Sequence, residues 1–305
     1  MNLAKSFTSH KLYSETVNER KKHRLIGIYA KNCESWVVTD FACCMAGIGT
    51  VTLYDTFGDA AIEYIINQAE LSTIVCTANH ADSLLKSKAD GKIEPLANIV
   101  AIDQLSAEQA AKCEQVGLTL LTIDQLIQEG AHLETQLNDP EPDDIFTICY
   151  TSGTTGNPKG VMISHQNMIA GLAPQSHSSI KLYNSDVHLS YLPLAHIMER
   201  IIVHCLTING SRIGFYQGDV LKLKEDLAEL RPTIFVSVPR LYSRFYDVMQ
   251  SKLAELKGCK KKLADKAIKA KLENLNKSGK VKHCLYDKLI FKKFRAVLGG
   301  RVRIC

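Results

Sequence analysis

Residues 150–161 read YTSGTTGNPKGV, and this stretch decides the fold class. Thr151, Ser152, Thr154 and Thr155 are interleaved with Gly153 and Gly156, and Lys159 follows. Glycine lets the backbone approach a ligand closely and turn its N–H groups inward, hydroxyls donate to anionic oxygens, and the lysine adds positive charge. The stretch is therefore a phosphate cradle whose natural guest is a polyphosphate. It is not a GxxxxGK[ST] loop, because Lys159 is followed by Gly160 and no Ser or Thr stands there to hold a metal, which weakens kinase and GTPase readings. A flexible Gly/Thr hairpin, the plain alternative, leaves the ordered spacing of hydroxyl, glycine and lysine without a reason. On either side, 145–150 and 161–164 have the pattern of strands and a helix follows from Gln166, so the loop joins two strands rather than opening a helix.

Toward the N-terminus, short β-rich runs alternate with helical patterns, which predicts an α/β fold with a mostly parallel sheet. Residues 24–29 read as a buried strand. Asn32 and Ser35 offer caps for a helix over 36–46 that Gly47 closes in a left-handed conformation, and 50–53 returns as strand. Ile62, Ile65, Ile66 and Ala69 fall on one helical face, ahead of a strand over 72–76. A further strand is expected at 99–102, and 107–129 reads as helical and polar enough to lie outside. The segment 138–144, NDPEPDD, cannot continue a helix or a central strand. Beyond the loop, a helix from Val220, a strand over 233–238 and long lysine-rich helices to about residue 296 are predicted. The expected organisation is an unassigned segment 1–24, a first α/β subdomain 25–138 and a second 139–305 carrying the loop and the basic helices.

The 305 residues are 46% hydrophobic and 23% charged, a globular rather than disordered composition. Ten cysteines are scattered without a CxxC pair, which argues against a zinc site or a secreted disulfide framework and favours a reduced, cytosol-facing compartment. The first 24 residues hold no apolar stretch of signal-peptide length, and the most apolar run, 41–53, is too short to span a bilayer, which needs about 20 residues. The net charge of +5 is uneven: residues 251–305 carry 17 Lys plus Arg against 4 Asp plus Glu, leaving the first 250 residues at −8. Such a stretch reads either as a solvated helical face or as an attachment to anionic membrane worth about 1 kcal/mol per basic residue near the surface. Nucleic acid is not expected as a partner, since no aromatic residues are interleaved at stacking intervals.

YTSGTTGNPKGV resembles, without departure, the signature loop of the adenylate-forming superfamily, which includes acyl-CoA synthetases, luciferases and peptide-synthetase adenylation domains. The resemblance implies that Thr151, Ser152, Gly153, Thr154, Thr155, Gly156 and Lys159 hold the β- and γ-phosphates of ATP, with Thr151 a magnesium ligand, while a carboxylate attacks the α-phosphorus. Residues 191–200, YLPLAHIMER, resemble the family's LPLxH block, making His196 the candidate beside the reacting carboxylate; Glu199 and Arg200 read as a pair on a helix surface. Residues 53–58 (LYDTFG), 26–38 (IGIYAKNCESWVV), 238–247 (VPRLYSRFYD) and 298–303 (LGGRVR) are similar to segments of long-chain fatty acid–CoA ligases.

That branch implies the large N-terminal domain of the adenylate-forming fold, with ATP, Mg²⁺ and coenzyme A as cofactor and co-substrates, a fatty acid as substrate, and peripheral attachment to the cytosolic face of the endoplasmic reticulum or peroxisome. The family continues past LGGRVR into a TGAAP-like segment, a YGxTE motif, a ribose-binding Asp, a hinge and a small swinging domain with a catalytic lysine. None of these occurs in the sequence, so these 305 residues alone are expected to show little or no ligase activity, with part of the sheet edge unpaired. Two rivals stand beside this reading: another adenylate former of the aryl-CoA ligase or luciferase type, and a non-catalytic nucleotide- or lipid-binding remnant.

Overall fold

Leu25 and Ile26, Ile74 and Val75, and Ile99 and Val100 are neighbours in sequence that point to opposite faces of one sheet, and both members of each pair are buried. A strand whose faces are both covered reads as a continuous apolar run, as these do. A computed structural model describes residues 1–18, 21–137, 139–151, 156–280 and 282–305. In chain order the first elements are α1 (Asn2–Ser9), β1 (Ser14–Asn18), β2 (Lys21–Tyr29), α2 (Glu34–Met45), β3 (Gly49–Thr52), α3 (Asp59–Gln68), β4 (Thr73–Cys76) and α4 (Ala78–Ala89). There follow β5 (Asn98–Ala101), α5 (Ala107–Gln115), β6 (Thr119–Thr122), α6 (Ile123–Gly130), β7 (Ile145–Thr151), β8 (Lys159–Ser164) and α7 (His165–His177).

The strands form one sheet in the order β6-β5-β4-β2-β3-β7-β8, with β1 pairing off this path to β2. Pairing is parallel from β6 to β7 and antiparallel for β8 and β1. This is the expected α/β fold with a mostly parallel sheet. Ile62, Ile65 and Ile66 of α3 and Leu84 and Leu85 of α4 cover one face; Leu3 and Phe7 of α1, Ala42 and Cys43 of α2 and Leu126 of α6 cover the other. Each large apolar side chain buried this way contributes about 2 kcal/mol. The β8 edge exposes Val161 and Met162, each about half accessible.

Three expectations need correction. The unassigned N-terminus holds α1, whose buried Leu3 and Phe7 pack with α6, and β1, which forms a hairpin with β2. The span 107–129 is not one outer helix. Gly117, in a left-handed conformation at φ 73°, follows α5; β6 then closes the sheet; and a reciprocal cap between Thr122 and Gln125 starts α6, whose Ile123 and Leu126 are buried. The segment 233–238 is reduced to single bridges at Ile234. Gly47 does adopt the left-handed conformation, φ 61°, after α2. The N-cap of that helix is Cys33 rather than Asn32 or Ser35, and the Asn32 amide is bonded elsewhere.

The chain divides into two compact units, one of 1–181 with 192–205 and one of 182–191 with 206–305, so the acidic 139–144 segment lies inside the first and β7 continues the sheet of β3. In the second unit β9 (Val187–Ser190) pairs in parallel with β10 (Arg212–Phe215), and α9 (Leu223–Leu230), α10 (Pro239–Ala254) and α11 (Gly258–Ser278) follow. The helix α8 (Ile197–Ile208) begins in the first unit. In the second unit, buried Asp186 accepts hydrogen bonds from Thr233 Oγ1 (2.7 Å) and Arg303 Nε (2.8 Å), tying the last residues to the start of β9.

Candidate active site

β7 and β8 form an antiparallel hairpin with Tyr150 opposite Gly160 and Thr151 opposite Lys159. Thr151 ends β7, Lys159 begins β8, and both are exposed at the hairpin's mouth. Ser152, Gly153, Thr154 and Thr155 lie outside the described residues. Gly156 has φ 110°, while an added Cβ would meet nothing within 4 Å. Glycine is needed there for its backbone conformation and not for room. Below the mouth, Tyr150 is buried and its hydroxyl donates to Gln68 Oε1 at 2.8 Å; burial pushes the phenol up to about 12.

β2, β3 and β7 are neighbours in parallel, so their carboxyl ends share one side of the sheet. That side is where open α/β sheets place ligands. The turn carrying His196 is fastened to the same side. Asn32, just past β2, donates from Nδ2 to Leu192 O at 2.7 Å and accepts from Leu194 N–H at 2.9 Å. Thr52, the last residue of β3, donates to Ala195 O at 3.0 Å. The sheet thus brings the mouth of the β7–β8 hairpin and the histidine turn to one end.

His196 is exposed, and its Nδ1 accepts the N–H of Met198 at 3.2 Å, capping the second residue of α8. In the neutral ring this leaves Nε2 as the protonated nitrogen, a donor at the positive end of a helix.

Arg200 is not on a helix surface: it is fully buried, as is Glu199. The Arg200 guanidinium pairs with Asp40 and donates from Nη1 to Thr147 Oγ1 and from Nη2 to Thr50 Oγ1 at 3.0 Å. It lies over the rings of Phe146 (4.6 Å) and Trp36 (5.3 Å), and His204 Nε2 stands 3.1 Å from Asp40 Oδ2. Burial alone would raise the Asp40 carboxyl; Arg200 and His204 outweigh it and hold the group below its usual range. These bonds join α8 to α2, β3 and β7 and so fix the helix that His196 caps. A signal for them exists in the sequence. Residues 201–203 of IMERIIVHCLTI are apolar, and 197–208 are apolar on nearly every side, as in a buried helix, so a charge within must be paired.

The chain belongs to the AMP-binding enzyme family, whose model matches residues 17–300. Within that family it is closely related to long-chain acyl-CoA synthetases: it is 40% identical over 278 residues to the peroxisomal long chain acyl-CoA synthetase 6 of Arabidopsis thaliana, covering 91% of this chain and 39% of that protein. It thus spans about two fifths of the length of the curated relatives it matches. Among solved structures, the adenylation domain of a carboxylate reductase from Mycobacterium chelonae aligns with 99% of this chain and 44% of that one at a TM-score of 0.75 and 17% identity. The A domain of the carboxylic acid reductase from Segniliparus rugosus, in complex with AMP and a co-purified carboxylic acid, gives 0.71 over 99% and 46% at 19% identity. Both share the fold. Among the described residues, no helix is long and apolar enough to cross a membrane.

Proposed function

We propose that this chain supplies the phosphate-holding and carboxylate-holding sides of a site that activates a long-chain fatty acid with ATP, giving acyl-AMP and pyrophosphate and then, with coenzyme A, acyl-CoA. The observation that carries this reading is the meeting of the Thr151–Lys159 hairpin mouth and the His196 turn at the carboxyl end of one sheet. Kinship with long-chain acyl-CoA synthetases supports the substrate class.

In this reading a fatty carboxylate oxygen bonds to the α-phosphorus as the bond to the β-phosphate oxygen breaks, and negative charge grows on the departing pyrophosphate. The Lys159 ammonium, the Thr151 hydroxyl and the donors of the loop residues Ser152, Gly153, Thr154, Thr155 and Gly156 stabilise that charge. Thr151 would offer one oxygen to Mg²⁺; such an ion usually keeps waters and substrate phosphates as its other ligands, so a single hydroxyl fits. When bound, the ion neutralises phosphate charge. His196 Nε2–H and the N-terminus of α8 orient the fatty carboxylate. The thiolate of coenzyme A then attacks the acyl carbonyl and AMP leaves. Residues 251–305 rest on an anionic membrane surface facing the cytosol, where the substrate partitions.

Fatty-acid-dependent exchange of pyrophosphate into ATP, measured on the protein carrying this chain, tests the reading. Exchange with palmitate is expected, falling by about 10²–10³ in Lys159→Ala. Exchange driven by benzoate in preference to palmitate would assign an aryl substrate, and exchange with no carboxylate would overturn the activity.

A further inference from the structure

In the second unit, the end of α9 and the segment 282–300 flank an open, solvent-exposed cleft of about 950 Å³. Its wall is set by a close approach: Gly299, at φ 78°, stands where a Cβ would come within 2.3 Å of Leu227 O, so only glycine lets the segment lie against α9. Arg231, Lys282, Lys288, Lys292 and Arg295 line the cleft with a single carboxylate, Asp287. That carboxylate is already engaged, by Lys271 at 2.7 Å, Arg295 at 3.1 Å and the His283 N–H at 3.0 Å. Among the described residues no acid pairs with Lys282, Lys288 or Lys292.

Cations gathered around one satisfied carboxylate repel each other, and a guest carrying two or more negative charges relieves this where a single carboxylate would leave most of the excess. Guanidinium forks and lysine point charges both suit phosphate oxygens. The volume lies at the upper end of ordinary ligand sites, about 300–1,000 Å³, more than inorganic phosphate fills. Ala228 and Ala296 provide apolar wall for the ring that bears the phosphate.

We propose that this cleft binds a phosphomonoester or diphosphate carried on a sugar- or cyclitol-sized ring, either a lipid headgroup or a free nucleotide. For the lipid source the proposal rests on the membrane reading of residues 251–305 and sharpens it from a diffuse basic face to a defined site. The test uses the 305-residue chain with vesicles of phosphatidylcholine containing phosphatidylserine or phosphatidylinositol 4-phosphate at matched surface charge, and with ADP in solution. Lys288→Gln with Lys292→Gln removes charge from the cleft lining; Lys260→Gln with Lys262→Gln removes the same charge from equally exposed positions of α11 outside it.

Preference for the phosphoinositide, weakened about tenfold or more only by the cleft pair, supports the site with a lipid guest. ADP binding lost only in the cleft pair, without vesicle preference, supports the site with a soluble guest and removes the membrane reading. Binding that follows vesicle charge alone and weakens equally in both pairs overturns the cleft and keeps the membrane surface. Absence of binding to any of these probes overturns both.

Discussion

The hairpin mouth at Thr151 and Lys159 and the turn at residues 192–196 occupy one end of the same sheet but are built in opposite ways. The mouth is exposed, and its groups face solvent. The turn is clamped through three hydrogen bonds to Asn32 and Thr52, and the helix behind it is held by an ion pair with no access to water. A phosphate brings its own charge, so exposed donors suffice to meet it. In the proposed role, a histidine that orients a carboxylate must hold one direction before the substrate arrives, and rigidity has to come from the protein.

The contrast can be broken at its strongest point. Asp40→Ala leaves Arg200 buried without its anion and is expected to lower stability by about 3–5 kcal/mol in urea unfolding, whereas Asp40→Leu with Arg200→Met recovers most of that loss. A loss under about 1 kcal/mol would show the pair to be incidental. The second unit repeats the device at Asp186, where the hydrogen bond from Arg303 is the main cause that holds the carboxyl at about 2 against 3.8 when unfolded. A depressed folded value gives stability present above the unfolded one and lost on acidification. The second unit therefore loses about 2 kcal/mol as pH falls from above 4 to 2, and Asp186→Asn flattens this dependence in pH-resolved unfolding. Asn32→Ala unclamps the turn and should cost about 1–3 kcal/mol, with broadening of the His196 ring signals in NMR. Lys159→Ala, at the exposed mouth, should change stability by less than about 0.5 kcal/mol.

Much of the frame was legible in order along the chain. The apolar strands, the face formed by Ile62, Ile65 and Ile66, and the placement of YTSGTTGNPKGV between two strands all follow from local pattern and appear as expected. The N-terminal helix is not legible because eight residues are only about two turns: Leu3, Ala4 and Phe7 do share one face, but so short a helix is marginal until α6 supplies a partner. β6 was missed because Thr119–Thr122 is short and half buried, a strand only by virtue of its neighbour β5. At the site, the motif residues stand out by type and spacing. Their support is only half legible: the apolar surroundings in 197–208 mark Arg200 as a charge that needs a partner, but nothing local points to Asp40, 160 positions away.

Calorimetric titration of Mg²⁺–ATP into Lys288→Gln/Lys292→Gln protein, with and without Lys159→Ala, addresses the hairpin most directly, because the basic cleft is then silenced in both. The account predicts ATP binding that Lys159→Ala weakens about tenfold or more at unchanged thermal stability. ATP affinity that is absent, or that is indifferent to Lys159, would contradict the claim that the hairpin between β7 and β8 holds the nucleotide's phosphates.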